Sequence, residues 1–259
     1  MEENGYFTGE FYFHSKPVQN GPRFGMTMKS AGSMRFRWNE TNPNRSFFLS
    51  NLSGNNHDIC AVELIHSHTV FAVDSAEELD GMQGDGIITQ NKRLIPVVTV
   101  ADCMPIFLYE PESGVFGMLH SGWKGTGIVR TAIELAEKKY GAKRNRFCVV
   151  MGPHIHDCCY TVDEERAQYF KVNFTPDCVT KCEDKDGWYK LSLAKANLAL
   201  LQEMGIDEGN IIVYRECTCC NPKFGSFRRE TKSLSPLLSL EDRQKFFTVQ
   251  AAWVKWEDN

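Results

Sequence analysis

Apolar positions recur in short runs along most of this chain, some with the two-residue period of strands and some with the 3.6-residue period of helices. CAVELIHSHTVFAV, from Cys60, alternates enough for one or two short strands. DGIITQ and RLIPVVTVAD are β-branched runs bounded by Gly, Asn and Asp, and read as strands. MPIFLYE and GVFGMLH flank PESG, a turn signal, and together read as a hairpin. GIVRTAIELAEKKYG reads as a helix with Ile128, Ala132, Leu135 and Ala136 on one face and Gly141 as its C-terminal cap. RFCVVMGP is a short buried strand. TVDEERAQYF is a helix opened by Thr161 and Glu164 at capping-box spacing. SLAKANLALLQEMG is a helix with Ala194, Leu198, Leu201 and Met204 on one face, and NIIVYREC and FFTVQAAWVKW close the chain as strands. Residues 15–58 are the least regular and read as loops with short strands. Strands and helices mix without strict alternation, so the expected fold is α+β: mixed β-sheets packed with flanking helices, one domain over residues 1–259.

Composition narrows the class. A chain of 259 residues, 42% hydrophobic and 24% charged, is built like a soluble globular protein with a sizeable core. A net charge of −4 makes no electrostatic case for nucleic acid or an anionic membrane as partner. The opening MEENGYFTGEFYF lacks a basic segment followed by an apolar one, and no run approaches the roughly 20 apolar residues of a membrane span. With ten cysteines and no export signal, reduced thiols in the cytoplasm are expected rather than a disulfide framework. No pair of CxxC motifs is present, which argues against a zinc ribbon.

The chemistry concentrates between Ala101 and Gly125. Cys103 ends the run VVTVAD, and His120 ends VFGML ahead of a Ser-Gly-Trp-Lys-Gly turn. If the flanking strands pair as a hairpin, the two side chains face each other near the strands' outer ends. A lone cysteine is ordinarily a small core hydrophobe. His66 changes that balance: two imidazoles and a thiol are a zinc ligand set with a fourth position left open. Such a metal sharpens a water nucleophile or polarises a leaving group. His68 forms a second His-x-His option with His66. His154 and His156 lie beside Cys158 and Cys159, as a polar loop or a neighbour of the site. Cys217, Cys219 and Cys220, without a matching second cluster, read as plain thiols. Lys124, Arg228 and Arg229 are candidate phosphate-binding cations.

At these residues the chain resembles the YfiH-type family, also called the laccase-domain or purine nucleoside phosphorylase family and formerly polyphenol oxidase. The resemblance is carried by DGIIT, VVTVADCMPIFL, GMLHSGWKGT and MGPHIHDCCYTV, with weaker echoes at LSNLSG near Asn51, at ECT, and at SFRRE around Arg228. It implies a mixed α+β fold, with His66, Cys103 and His120 as zinc ligands and Cys103 and His120 as catalytic residues. It adds Asn51 to Lys124 and Arg228 as substrate-binding candidates. It implies phosphorolysis of adenosine, inosine, guanosine and methylthioadenosine, and deamination of adenosine, with nucleoside and phosphate as small-molecule partners. Copper in the same site and phenol oxidation are attached to the family too. A second implied activity is a Cys–His hydrolase with Cys103 as nucleophile and His120 as base, acting on a peptidoglycan precursor or another amide. Departures from the family pattern are Leu64-Ile65-His66-Ser67 for Gln-Val-His-Gly, and Gly122-Trp123-Lys124-Gly125 for Gly-Trp-Arg-Gly.

Overall fold

The computed structural model describes residues 5–235, 237–243 and 245–257. The first four residues, on which part of the reading against an export signal rests, lie outside them. The runs of β-branched residues become two mixed sheets. The five-stranded sheet has the order Tyr6–Glu10, Arg23–Thr27, Gln250–Lys255, Leu94–Val100, Asp58–Ala61. The six-stranded sheet has the order Ile211–Val213, Cys148–Met151, Met104–Tyr109, Phe116–Ser121, Gly86–Thr89, Val70–Ala72. Most neighbours are antiparallel. Asp58–Ala61 runs parallel to Leu94–Val100, Val70–Ala72 to Gly86–Thr89, and Cys148–Met151 to Ile211–Val213.

Side-chain alternation explains how these sheets stack. Phe24, Met26, Val98 and Ala252 of the first sheet pack against Phe107, Phe116, Met118 and Val150 of the second. The Phe24 and Phe107 rings lie 4.8 Å apart. Residues one step along the same strands, Ile106, Leu108, Leu119 and Val149, face the other way and cover the helices Ile128–Tyr140 and Leu193–Glu203. On the far side of the first sheet, Ile95, Val97 and Trp253 pack against Leu49 of the helix Pro43–Ser53. The layers are therefore helix, sheet, sheet, helices. This is the mixed α+β architecture the pattern predicts.

The hairpin is present: Met104–Tyr109 pairs with Phe116–Ser121, with His120 opposite Pro105. The helix Ile128–Tyr140 ends as expected, on Gly141 in the left-handed region at φ 66°. Other local expectations shift. Thr161 does not cap a helix. Thr161–Asp163 is a short strand, and Asp163 caps the helix Glu164–Asn173 by accepting from the Arg166 N–H. The helix Leu193–Glu203 buries Leu193, Ala196, Asn197, Leu200 and Leu201, with Ala194 and Leu198 only half-buried at the margin of that face. The stretch read as loops holds the helix Pro43–Ser53. Polar residues dominate it and only Leu49 is buried, so no apolar stripe announces it. Its start is local chemistry instead: Asn42 accepts from the Arg45 N–H, and Pro43 stands at the first helical position.

Candidate metal centre and its cavity

Cys103 lies where the chain passes from one sheet to the other. Leu94–Val100 belongs to the first sheet and Met104–Tyr109 to the second, so residues 101–103 must turn sharply. Asp102 absorbs that turn at φ 79°, a conformation non-glycine residues hold only when their surroundings impose it. Its buried carboxylate accepts from Thr218 Oγ1 (2.6 Å), Ser226 Oγ (3.0 Å) and the Arg228 N–H (2.7 Å). Its carbonyl accepts from the Ile155 N–H at 2.9 Å. These bonds lock the turn and fix the direction of the adjacent Cys103 side chain.

His66 was expected on a strand. The structure instead ends one strand at Ala61 and begins the next at Val70, with His66 in a bend at φ 58°. Asp85 holds that bend. One carboxylate oxygen accepts from the His66 N–H at 2.9 Å, the other from the Ser67 N–H at 2.5 Å and Ser67 Oγ at 2.7 Å. The same carboxylate lies 2.8 Å from His120 Nδ1. Asp85 thus fixes the backbone bend at His66 and the ring of His120 at once, and by occupying Nδ1 it leaves His120 Nε2 for the cluster.

His66, Cys103 and His120 bring one donor atom each within 4.8 Å of one another, and the two imidazole rings are edge-to-face at 4.8 Å. Gly122 makes room for them: a Cβ there would stand 2.9 Å from Cys103 Sγ and 3.4 Å from His66 Cδ2. Burial would raise the Cys103 pKa, but the neighbouring His120 and His66 imidazoles overcome it and bring the thiol down to about 6. Burial would lower the His120 pKa, yet Cys103 and Asp85 lift it well above its ordinary range. Burial would likewise raise Asp85, and the bonds from His120 and Ser67 hold it below the usual carboxylate range. The donor set, two imidazoles and a thiol with thiolate character, fits a borderline-soft divalent metal, and Asp85 already holds the far nitrogen of the His120 ring.

The cluster opens into a cavity of about 450 Å³, a size typical of small-molecule sites. Its walls combine Phe36, Trp123, Tyr160 and Phe247 with Arg35, Arg37, Arg166 and Arg228. The Arg166 guanidinium lies over the Trp123 ring at 4.1 Å. The Arg228 guanidinium is within 3.4 Å of the Thr161 carbonyl and 5.6 Å from the Tyr160 ring.

Other sequence candidates sit elsewhere. Asn51 is not at this cavity. It lies on the helix Pro43–Ser53 and lines a separate hollow with Tyr6, Phe48 and Lys255, because that helix packs on the outer face of the first sheet. Lys124 is exposed, with its Nζ 5.4 Å from the Trp123 ring, and is not part of the cavity wall. Arg229 is a scaffold residue that donates to the carbonyls of Thr218, Cys219, Asn221 and Phe224. His68 Nε2 lies 3.0 Å from the Thr126 carbonyl. His154 is buried, its pKa pushed down to about 3 by that burial, and its Nδ1 lies 2.8 Å from the Gly152 carbonyl. Sequence reading missed Asp85 and Arg166. A carboxylate opening the apolar run DGIIT was the signal for Asp85, whereas Arg166 reads as an ordinary charge on a polar helix.

Residues 37–236 match the family model described as multi-copper polyphenol oxidoreductase laccase. A purine nucleoside phosphorylase of Clostridium acetobutylicum is 31% identical over 186 residues, 70% of this chain and 75% of that protein. The purine nucleoside phosphorylase YlmD of Geobacillus stearothermophilus is 28% identical over 198 residues, 72% of each chain. Adenosine deaminase RL5, from an unknown prokaryote, is 30% identical over 61% of this chain and 62% of its own. The crystal structure of Geobacillus stearothermophilus YlmD superposes with a TM-score of 0.76 at 24% identity, over 92% of this chain and 93% of that one. The chain belongs to this laccase-domain family, whose expected fold it has.

Proposed function

We propose that this protein is a metal-dependent purine nucleoside enzyme that cleaves nucleosides with phosphate and deaminates adenosine, with zinc held by His66, Cys103 and His120. The observation that carries the proposal is the joining of that cluster to an aromatic cavity lined by four arginines, Arg35, Arg37, Arg166 and Arg228. The relatives named purine nucleoside phosphorylase and adenosine deaminase support the substrate class. Bound zinc would supply a Lewis acid that sharpens a water or polarises a leaving group. Asp85 keeps the His120 Nδ1 proton in place, so the ring keeps one orientation. Trp123, Tyr160 and Phe247 offer flat apolar surface to a purine, and Arg166 and Arg228 offer positive charge to phosphate.

Purified protein incubated with adenosine, with and without phosphate, tests this. Adenine and ribose 1-phosphate are expected only with phosphate, and inosine and ammonia without it. Neither product, or equal turnover by Cys103→Ala, overturns the proposal.

A second reading rests on a specific geometry. Cys103 has thiolate character beside His120, which is itself oriented by Asp85: a nucleophile, base and orienting carboxylate in sequence. Such a triad acting on an amide has no use for His66. His66→Ala separates the two readings: the metal reading requires loss of both metal and activity, whereas the triad keeps amide hydrolysis. Multi-copper chemistry fits less well, because it needs several imidazole-rich centres and this cluster holds two imidazoles.

A further inference from the structure

The plain thiols of the sequence reading acquire partners in three dimensions. The strands Cys148–Met151 and Ile211–Val213 are parallel neighbours, so the loops that follow them leave the same end of the sheet. One loop carries Cys158 and Cys159, the other Cys217 and Cys220. A bridge between His154 and Cys217 and a 3.0 Å bond from the Thr218 N–H to the His154 carbonyl tie the loops together. The four sulfurs lie within 4.8 Å of one another. Cys159 and Cys220 are 3.3 Å apart, Cys158 and Cys220 3.6 Å, and Cys158 and Cys159 3.9 Å.

We propose that Cys158, Cys159, Cys217 and Cys220 form a second, structural metal site that holds one zinc ion as a tetrathiolate. Four sulfurs around zinc at about 2.3 Å stand about 3.8 Å apart at the corners of a tetrahedron, close to the separations here. All four are free cysteines, at contact rather than covalent distance. An all-sulfur set selects zinc or another soft divalent ion over magnesium or calcium. Four protein ligands leave no open position, the mark of a structural rather than a catalytic site. The surroundings suit thiolates: the His156 N–H donates to Cys217 Sγ at 3.4 Å. One divalent ion would take all four sulfurs as ligands, each giving up its proton on binding.

The position explains what such an ion does. Thr218, between the ligands Cys217 and Cys220, donates to Asp102 beside Cys103, and Ile155 donates to the Asp102 carbonyl. Tyr160, a wall of the cavity, directly follows Cys159. The second ion therefore clamps the two loops that hold the Cys103 turn in place.

Elemental analysis of protein purified under reducing conditions tests this, with the thiol protection of the wild type as a second measurement. Two zinc per chain are expected in the wild type, one in Cys220→Ser, one in Cys103→Ala and none in the double variant. The Cys103→Ala arm keeps this site distinct from the nucleoside reading, since its zinc stays if that reading fails. On cobalt substitution, the Cys103→Ala protein should show the charge-transfer bands of a tetrathiolate. In the wild type, the four cysteines should resist alkylation until a chelator is added. A single zinc lost entirely in Cys103→Ala, alkylation of the four at the same rate with and without chelator, or a disulfide among them overturns the proposal.

Discussion

Asp85 shows how much one side chain can organise. Its carboxylate is fully buried and meets four donors: two backbone N–H groups, a hydroxyl and an imidazole. Without them a buried carboxylate is costly; with them it fixes the His66 bend and the His120 ring together. Asp85→Asn keeps the shape but removes the charge and leaves one oxygen as an N–H₂ facing donors. Chelator competition should show metal retention weakened about 10- to 100-fold, the range for losing a carboxylate that holds a ligating imidazole. Unchanged retention would remove Asp85 from the account. Cys103 gives a pH prediction. Its thiol is held down to about 6, so in metal-free protein the reactive thiolate persists below neutral pH. Alkylation of Cys103 should stay fast as pH falls and drop only through about 6, whereas an ordinary thiol slows already near 9. His120→Ala, which removes the cation favouring the thiolate, should move that profile upward.

At the scale of elements, the site is assembled from ends and turns. The hairpin register places His120 opposite Pro105, two positions past Cys103, so the strand pairing itself sets their approach. This much was legible, because a tight turn between two apolar runs leaves little freedom of register. Helix starts were less so. Thr161 and Glu164 have capping-box spacing, but Thr161 pairs with Lys190 in a small sheet, and the cap moves to Asp163. Asp163→Ala should lower stability by about 1 kcal/mol, read as a shifted denaturant midpoint. Thr161→Val, which keeps strand character, should shift it less; the reverse order would restore the capping box. His66 escaped local reading for a similar reason. Alternation suggested a strand, while a carboxylate nineteen positions away holds it in a left-handed bend.

Across the whole molecule, stability rests on the two sheets meeting face to face. Phe107 is fully buried at that meeting, against Phe24. Phe107→Ala should destabilise by about 3–5 kcal/mol, because rigid strands on both sides cannot collapse into the space. Urea unfolding measures it, and a loss below about 1 kcal/mol would mean the sheet interface is less tightly packed than drawn. The described residues include no helix long and apolar enough to cross a membrane, and the two layers of helices cover the outer faces of the sheets. By itself the sequence determined what local pattern can: the strands, the hairpin, and the pairing of Cys103 with His120 through it. Its motifs also pointed to the family. Only the tertiary structure decided that Asp85 orders the cluster, that Arg166 rather than Lys124 faces the cavity, and that Cys158 and Cys159 meet Cys217 and Cys220. Those relations join residues far apart in the chain, and they are set by which strands become neighbours, which no local periodicity records.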